Sequence, residues 1–173
     1  MNPARRRPYV TVGREADADP IGGQQRGGRR VTFRLRDHTA DVAVEAESTT
    51  LSGVFAAVAD GLTAAMCDDV PPPADDDESV SFAVEAESRE ALLVDYLDQL
   101  IYERDVREVL PADNEAVVSS SDSEAGETWR VEGHARGVGL SRVDAREVKA
   151  VTYSEMRLEE ADTGWEAYVV FDV

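Results

Sequence analysis

The polar stretch 37–44, DHTADVAV, holds the side chains of this chain that are best suited to chemistry. His38 and Asp41 directly precede an alternation of apolar and polar residues, so the stretch is typical of a loop that presents functional groups where a strand begins. At the other end of the chain, Asp172 and Val173 close an apolar run. We predict that the two segments meet and gather Asp41, Asp172 and the terminal carboxylate of Val173.

Three anionic groups at one place require either a hard cation or a strongly basic partner. All three would offer carboxylate oxygens, which favour calcium or magnesium over zinc. Taken alone, Asp41 and Asp172 are equally suited to binding backbone amides or an arginine. The residues by themselves therefore leave a metal site and a structural ion pair open.

Two further residues are candidates for a role near this cluster. His38 could hydrogen-bond the backbone of its own loop, or reach a metal or a partner protein. Lys149 is the single lysine of a chain that otherwise uses arginine for positive charge. A lysine in the segment EVKAVTYS indicates that a compact ammonium group is needed at this position. Alternatively, this single lysine is there by chance.

The chain lacks the common catalytic motifs: a serine nucleophile elbow, a P-loop, a dinucleotide-binding glycine motif and a zinc-protease helix. His134, within an alternating strand, is predicted to be structural or exposed.

Cys67 is the single cysteine of the chain, so it cannot form an internal disulfide, and we predict that it is a small core residue. The acid run at 75–78 lacks the spacing of a calcium-binding EF-hand loop, so we expect an exposed connection.

Acidic residues number 36 against 18 basic ones, giving a net charge of −18. Such a surface is typical of proteins that remain hydrated in very high salt, and predicts a halophilic archaeal protein of the cytoplasm. The negative charge also argues against direct nucleic-acid binding, which needs clustered cations.

The chain shows neither a long apolar run nor a secretory signal, so we expect no membrane association.

Residues 1–30 differ from the rest, with seven arginines against three acids and several glycines. We predict a flexible extension, with an RNA-contacting arm or a start codon placed too early as alternatives. Residues 31–173 then form one domain.

Apolar periodicity predicts an α+β domain, a two-layer sandwich of two main helices on a mixed, mostly antiparallel sheet. The first helix covers 51–66 and is capped by Ser48 or Thr49, and the second begins at Ser88 and ends before Pro111. A tight turn is expected at 162–164. The predicted strands are 31–36, 42–47, 80–86, 117–119, 129–135, 147–153, 156–160 and 165–171.

Four segments in order resemble the archease family, activators of the RtcB-type tRNA-splicing ligase: DHTADVAVEAES with the helix that follows it, ALLVDYLDQLIYERD, EVKAVTYSEM and the final FDV. The resemblance implies a non-catalytic protein that helps the ligase form its covalent guanylate on a histidine, permits multiple turnover and broadens nucleotide use. It also implies strand-helix-strand-strand units and a metal site, usually described with calcium, formed by Asp41, Asp172 and Val173.

The chain departs from this family at three places, and one of them is the arginine-rich tail 1–30, which has no counterpart in the family. Ser154 stands where a histidine often follows the tyrosine of the EVKA motif, so no role of that histidine transfers. The segment 136–146 lacks a histidine often found before the same motif.

Two other functions compete with the activator: a small metal-dependent phosphohydrolase in which His38 and Asp41 activate water, and a chaperone-like adaptor with many partners.

Overall fold

The structure is a computed structural model that describes residues 32–37 and 41–173. Within these ranges, two strands, a helix, a strand, a second helix and four further strands follow one another as predicted, which confirms the α+β class, although eight strands were predicted and seven are observed. The predicted extension 1–30 lies outside the described residues. The elements are β1 (Thr32–Asp37), β2 (Asp41–Ser48), α1 (Leu51–Met66), β3 (Glu78–Ala86), α2 (Arg89–Arg107), β4 (Val109–Ser123), β5 (Gly126–Gly139), β6 (Ala150–Ala161) and β7 (Gly164–Asp172).

The described strands form two sheets, and each pairing between them is antiparallel. Sheet A has the order β1, β2, β7, β6, and sheet B has the order β3, β5, β4. The expectation of a single mixed sheet is therefore corrected. Alternation of apolar residues identifies a strand but does not identify its partner, because partner choice depends on contacts between distant parts of the chain.

The two helices begin at hydroxyl caps. The cap of α1 is Thr50, whose Oγ1 accepts a hydrogen bond from the Gly53 amide at 3.0 Å. The predicted caps were wrong by one or two residues, because Ser48 still belongs to β2. Ser88 caps α2 as predicted, and that helix ends where Glu108 takes a left-handed φ of 54°. Each cap satisfies a backbone donor that has no partner within its helix.

The core lies between the helices and the two sheets. The α1 helix contacts β2 and β4, and α2 contacts β3 and β6, so each helix packs on both sheets. The rings of Phe55, Tyr96 and Phe82 form a buried chain, with centroids 5.8 and 5.7 Å apart. Cys67 is buried and belongs to the same core, as predicted.

Arg89, the first residue of α2, joins the two sheets at one end. Its Cζ atom lies 5.5 Å from the ring centroid of Trp129 on β5 and 4.9 Å from that of Trp165 on β7. A guanidinium between two indole rings gains from the negative faces of both. The contact therefore holds the start of α2 to sheet A and sheet B together.

The acidic connection before β3 is exposed as predicted, except at Asp77. One carboxylate oxygen of Asp77 accepts hydrogen bonds from the Ala74 amide at 2.9 Å and from Arg136 at 2.8 Å, and the other accepts from Arg142 at 2.5 Å. Arginines from β5 and the turn after it thus anchor this connection through Asp77.

Gly61 allows α1 to approach β2 closely, which makes it a test of how the helix positions that strand. A Cβ atom at Gly61 would lie 2.4 Å from Cγ1 of Val44. We expect Gly61→Ala to lower the free energy of unfolding by up to about 2 kcal/mol, because overpacking costs about 1–3 kcal/mol and the better helix propensity returns about 1. Urea unfolding measures the change. In a Val44→Ala background the same substitution should cost less, and purely additive effects would contradict this contact.

Asp77 predicts a specific pH dependence of stability. The Ala74 amide and the guanidinium groups of Arg136 and Arg142 lower the pKa of Asp77 from 3.8 to about 2. Because the folded pKa is below the unfolded one, the stabilisation is complete above about pH 4 and is lost as the pH falls through 2. Asp77→Asn should therefore be less stable than the native chain at pH 6, and the gap in urea midpoints should narrow at pH 3. A constant gap would show that the Asp77 charge does not contribute.

Candidate functional site

The pairing of β2 with β7 brings the two predicted functional segments together. Asp41 at the start of β2 lies directly opposite Asp172 at the end of β7 in the antiparallel register. Directly opposite side chains share one face of a sheet, with Cβ atoms about 4.5–5.5 Å apart. Asp41 and Asp172 are therefore neighbours, and Val173 follows directly on β7.

This pair lies on the face of sheet A that points away from the core. Along β7, Val169 and Phe171 are fully buried and belong to the core, whereas Asp172 is exposed. Along β2, Val44 likewise enters the core. The alternation of strand residues thus turns both aspartates to the opposite face. On this face Asp172 is exposed and Asp41 is half-buried.

Lys149 lies beside the same strand end. Its backbone amide donates a hydrogen bond to the Asp172 carbonyl at 2.8 Å, and its side chain is exposed. The preceding segment is tied down by the Arg146 amide, which donates to the Met66 carbonyl at 2.6 Å, and by the buried side chain of Val148. The C-terminal end of α1 and the core therefore fix where Lys149 enters sheet A.

The electrostatics of the pair are unfavourable without a positive charge. Two carboxylates directly opposite one another repel, and no side chain or amide in the described ranges forms a hydrogen bond or ion pair with the side-chain carboxylate of Asp41 or of Asp172. The oxygen donors of Asp41, Asp172 and Val173 fit the preference of Ca²⁺ or Mg²⁺. The arrangement can attract a cation, an ammonium group or a guanidinium group.

Within 32–37 and 41–173, no three His, Cys, Asp or Glu side chains come together in a way that could hold a metal ion. The aspartate pair alone would thus need the Val173 carboxylate or a partner to complete a ligand set. His38 lies outside the described residues. The metal role of Asp41, Asp172 and Val173, and the supporting roles of His38 and Lys149, stay predictions.

The other predicted polar residues lie elsewhere. His134 is exposed on β5, and its Nδ1 atom is 2.9 Å from the Ser81 hydroxyl oxygen, which agrees with a structural or surface histidine. Ser154 is exposed on β6.

None of the helices in the described ranges is both long enough and apolar enough to cross a membrane.

Sequence reasoning missed an irregularity close to the site. Thr152 pairs with Val170 and Arg157 with Tyr168, so residues 153–156 of β6 oppose a single residue of β7. The sequence predicted two strands here, whereas the structure has one strand with an excursion. Tyr153, in that excursion, is 59% exposed. Ser154 and Glu155, the two polar residues that follow Tyr153, interrupt the alternation of apolar and polar residues, and this interruption could have indicated the excursion.

Residues 33–173 match the model of the Archease protein family. Protein archease of Thermococcus gammatolerans is 33% identical over 143 residues, which cover 79% of this chain and 95% of that protein. Protein archease of Methanosarcina mazei is 29% identical over 149 residues, covering 82% and 95%. These relatives come from other archaea, so the halophilic origin stays a prediction.

The fold agrees with a solved structure as well. The solution structure of Methanobacterium thermoautotrophicum protein 1598 is similar with a TM-score of 0.63 and 26% identity, and the match covers 82% of this chain and 98% of that one. The family match extends from β1 through Val173 and includes both Asp41 and Asp172. This chain therefore belongs to the archease protein family.

Proposed function

We propose that this chain activates an RtcB-type tRNA-splicing ligase, promoting guanylylation of the ligase, allowing it to turn over repeatedly and broadening its nucleotide use. Membership of the archease family supports this role. The observation that carries it in the structure is the pair of half-buried Asp41 and exposed Asp172, whose carboxylates have no counter-charge among the described residues. The protein acts on the ligase as a non-catalytic partner in the cytoplasm.

The proposal includes a bound cation, Ca²⁺ or alternatively Mg²⁺, held by Asp41, Asp172 and the carboxylate of Val173. The fit rests on two opposed carboxylates that lack a described counter-charge and on an all-oxygen donor set. When bound, the ion would neutralise the carboxylates and supply positive charge to phosphate oxygens of the nucleotide. The register of β2 and β7 fixes Asp41 and Asp172 opposite one another, so these two residues would set the position of the ion.

Lys149 would supply a second positive group from this chain. Its exposed side chain leaves the backbone next to Asp172, with its amide bound to the Asp172 carbonyl. An ammonium group is a compact point charge that suits contact with a phosphate or with an anionic residue of the ligase. His38, beside Asp41 in the sequence, is proposed to hold the loop or contact the partner.

The partner is proposed to be the ligase protein and not its RNA. A net charge of −18 opposes the phosphate contacts on which nucleic-acid affinity depends. The alternative function, a metal-dependent phosphohydrolase, is not favoured by the family to which the chain belongs.

The activator role predicts the outcome of single-turnover guanylylation of the cognate ligase in molar potassium chloride. The native chain should accelerate formation of the guanylate, and Asp41→Asn or Asp172→Asn should reduce that acceleration at least about tenfold at saturating partner, in the range typical for disrupted metal sites. Each variant removes one negative oxygen ligand at nearly constant volume.

Asp122→Asn is the matched control for this experiment, because Asp122 also lies opposite an acid, Glu127, but on sheet B. This control should activate like the native chain. Full activation by the folded Asp41→Asn variant would limit Asp41 to a structural role, and a lack of activation by the native chain would contradict the proposed function.

The cation site predicts a separate effect on stability. At a free Ca²⁺ concentration of about 100 times the Kd, binding adds about 2.7 kcal/mol, which corresponds to a rise in Tm of roughly 5–10 °C. Asp41→Asn should lose this rise, yet in a chelator it should be at least as stable as the native chain because a like-charge pair is removed. Thermal unfolding followed by circular dichroism measures both. An equal rise in the native chain and the variant would place the bound ion elsewhere.

A further inference from the structure

Arg104, in the last turn of α2, is a buried charge. Its side chain is only 10% exposed, and among the described residues it is the one arginine that belongs to the buried class. Removal of a guanidinium from water is unfavourable unless an ion pair and hydrogen bonds compensate for it. The contacts of Arg104 must therefore explain why a charge is present at this position.

The ion pair of Arg104 provides little of that compensation. Its Nη1 atom donates to the Asp105 carboxylate at 2.6 Å, but the Asp105 side chain is 58% exposed, and ion pairs this close to water contribute little to stability. Its Nε atom is buried and has no hydrogen-bond partner among the described residues, which is itself unfavourable. The ion pair alone thus does not account for a buried guanidinium.

The remaining contact of Arg104 is with the backbone that leads to the candidate site. Its Nη2 atom donates to the Arg146 carbonyl at 3.3 Å. The same residue is also bound by α1, because the Arg146 amide donates to the Met66 carbonyl at 2.6 Å. Both helices therefore hold the backbone of Arg146, α1 through the amide and α2 through the carbonyl.

Three residues further along, the chain reaches Lys149. Val148 is buried in the core, whereas the Lys149 side chain is exposed and the Lys149 amide donates to the Asp172 carbonyl at 2.8 Å. The segment 146–149 is thus held at both of its ends. Among these backbone hydrogen bonds, the one from Arg104 comes from a side chain, so a substitution can remove it without changing the segment itself.

We propose that Arg104 is a positioning residue for Lys149. By holding the Arg146 carbonyl, the guanidinium fixes the path of the segment 146–149 and thereby the point at which the Lys149 ammonium group leaves the backbone beside Asp172. A guanidinium suits this task because its donors lie on one rigid plane, so that one binds the carbonyl while another binds Asp105. The consequence for the ligase rests on the proposed function, whereas the hold on the segment is independent of it.

Amide hydrogen exchange in the full chain tests the hold without the ligase. Arg104→Met removes the donors and keeps an apolar stem of similar length. Because a hydrogen bond to a charged group is worth about tenfold or more in an opening equilibrium, we expect the amides of Arg146 and Lys149 to exchange at least about tenfold faster in this variant. The Val131 amide, on sheet B, is the internal control and should exchange as in the native chain. Unchanged exchange at Lys149 would overturn the proposal.

Thermal unfolding separates positioning from a purely structural role. Replacement of a buried ion by an apolar residue of similar size is often neutral or stabilising, and the Asp105 carboxylate left behind is exposed to water. The Tm of Arg104→Met should therefore be no more than about 3 °C below the native value. A larger fall, or a variant that does not fold, would identify Arg104 as a structural residue and contradict the proposal.

Single-turnover guanylylation of the ligase tests whether the hold extends to the site. At saturating partner, Lys149→Met and Arg104→Met should each reduce the maximal acceleration at least about tenfold, since small displacements of a positioned group have effects of this size. The double variant should be no slower than Lys149→Met alone, because Arg104 acts through Lys149. Arg130→Met, which removes an exposed arginine of sheet B, is the matched control and should activate like the native chain. Additive losses in the double variant would refute the proposal.

Failure of this inference and failure of the proposed function give different results. If the native chain does not accelerate guanylylation, the proposed function is wrong, and the exchange rate of the Lys149 amide still decides whether Arg104 holds the segment. If the native chain and Lys149→Met activate equally, the proposed function stands, but positioning of Lys149 has no consequence for the ligase and this inference is wrong.

Discussion

The antiparallel pairing of β2 with β7 is the constraint on which the rest of this archease depends. It places the first strand after the DHTAD segment beside the last strand of the chain, and both are central strands of sheet A. Their register is set by burial, because Val44 and Phe171 must face the helices. A slip of one residue would expose these core side chains and bury both aspartates. The opposition of Asp41 and Asp172 is therefore a consequence of how the core is packed.

The helices hold this ladder in place from the core side. Gly61 lets α1 lie close against Val44 on β2, and Arg89 at the start of α2 contacts the tryptophan at the start of β7. The segment before β6 is bound to the end of α1 through Arg146 and Met66. The position of Lys149 beside Asp172 therefore depends on the packing of α1.

Charge is distributed unevenly over this acidic chain. On sheet B and in the connection before β3, arginines such as Arg136 and Arg142 neutralise nearby carboxylates. On the outer face of sheet A, like charges oppose one another at both ends of the β2 and β7 ladder. Like charges that oppose one another in this way favour the binding of positive groups, and salt reduces their repulsion. A cation beside Asp41 and Asp172 is the positive partner proposed.

The sequence by itself determined the α+β class, both helices and the residues of the candidate site. Helical periodicity located α1 and α2 within a few residues, since it reports a buried stripe along one local element, and the DHTAD motif identified Asp41. Only the tertiary structure decided that the strands form two sheets and that residues 153–156 form an excursion. These features depend on register between strands distant in the sequence, which local patterns do not encode.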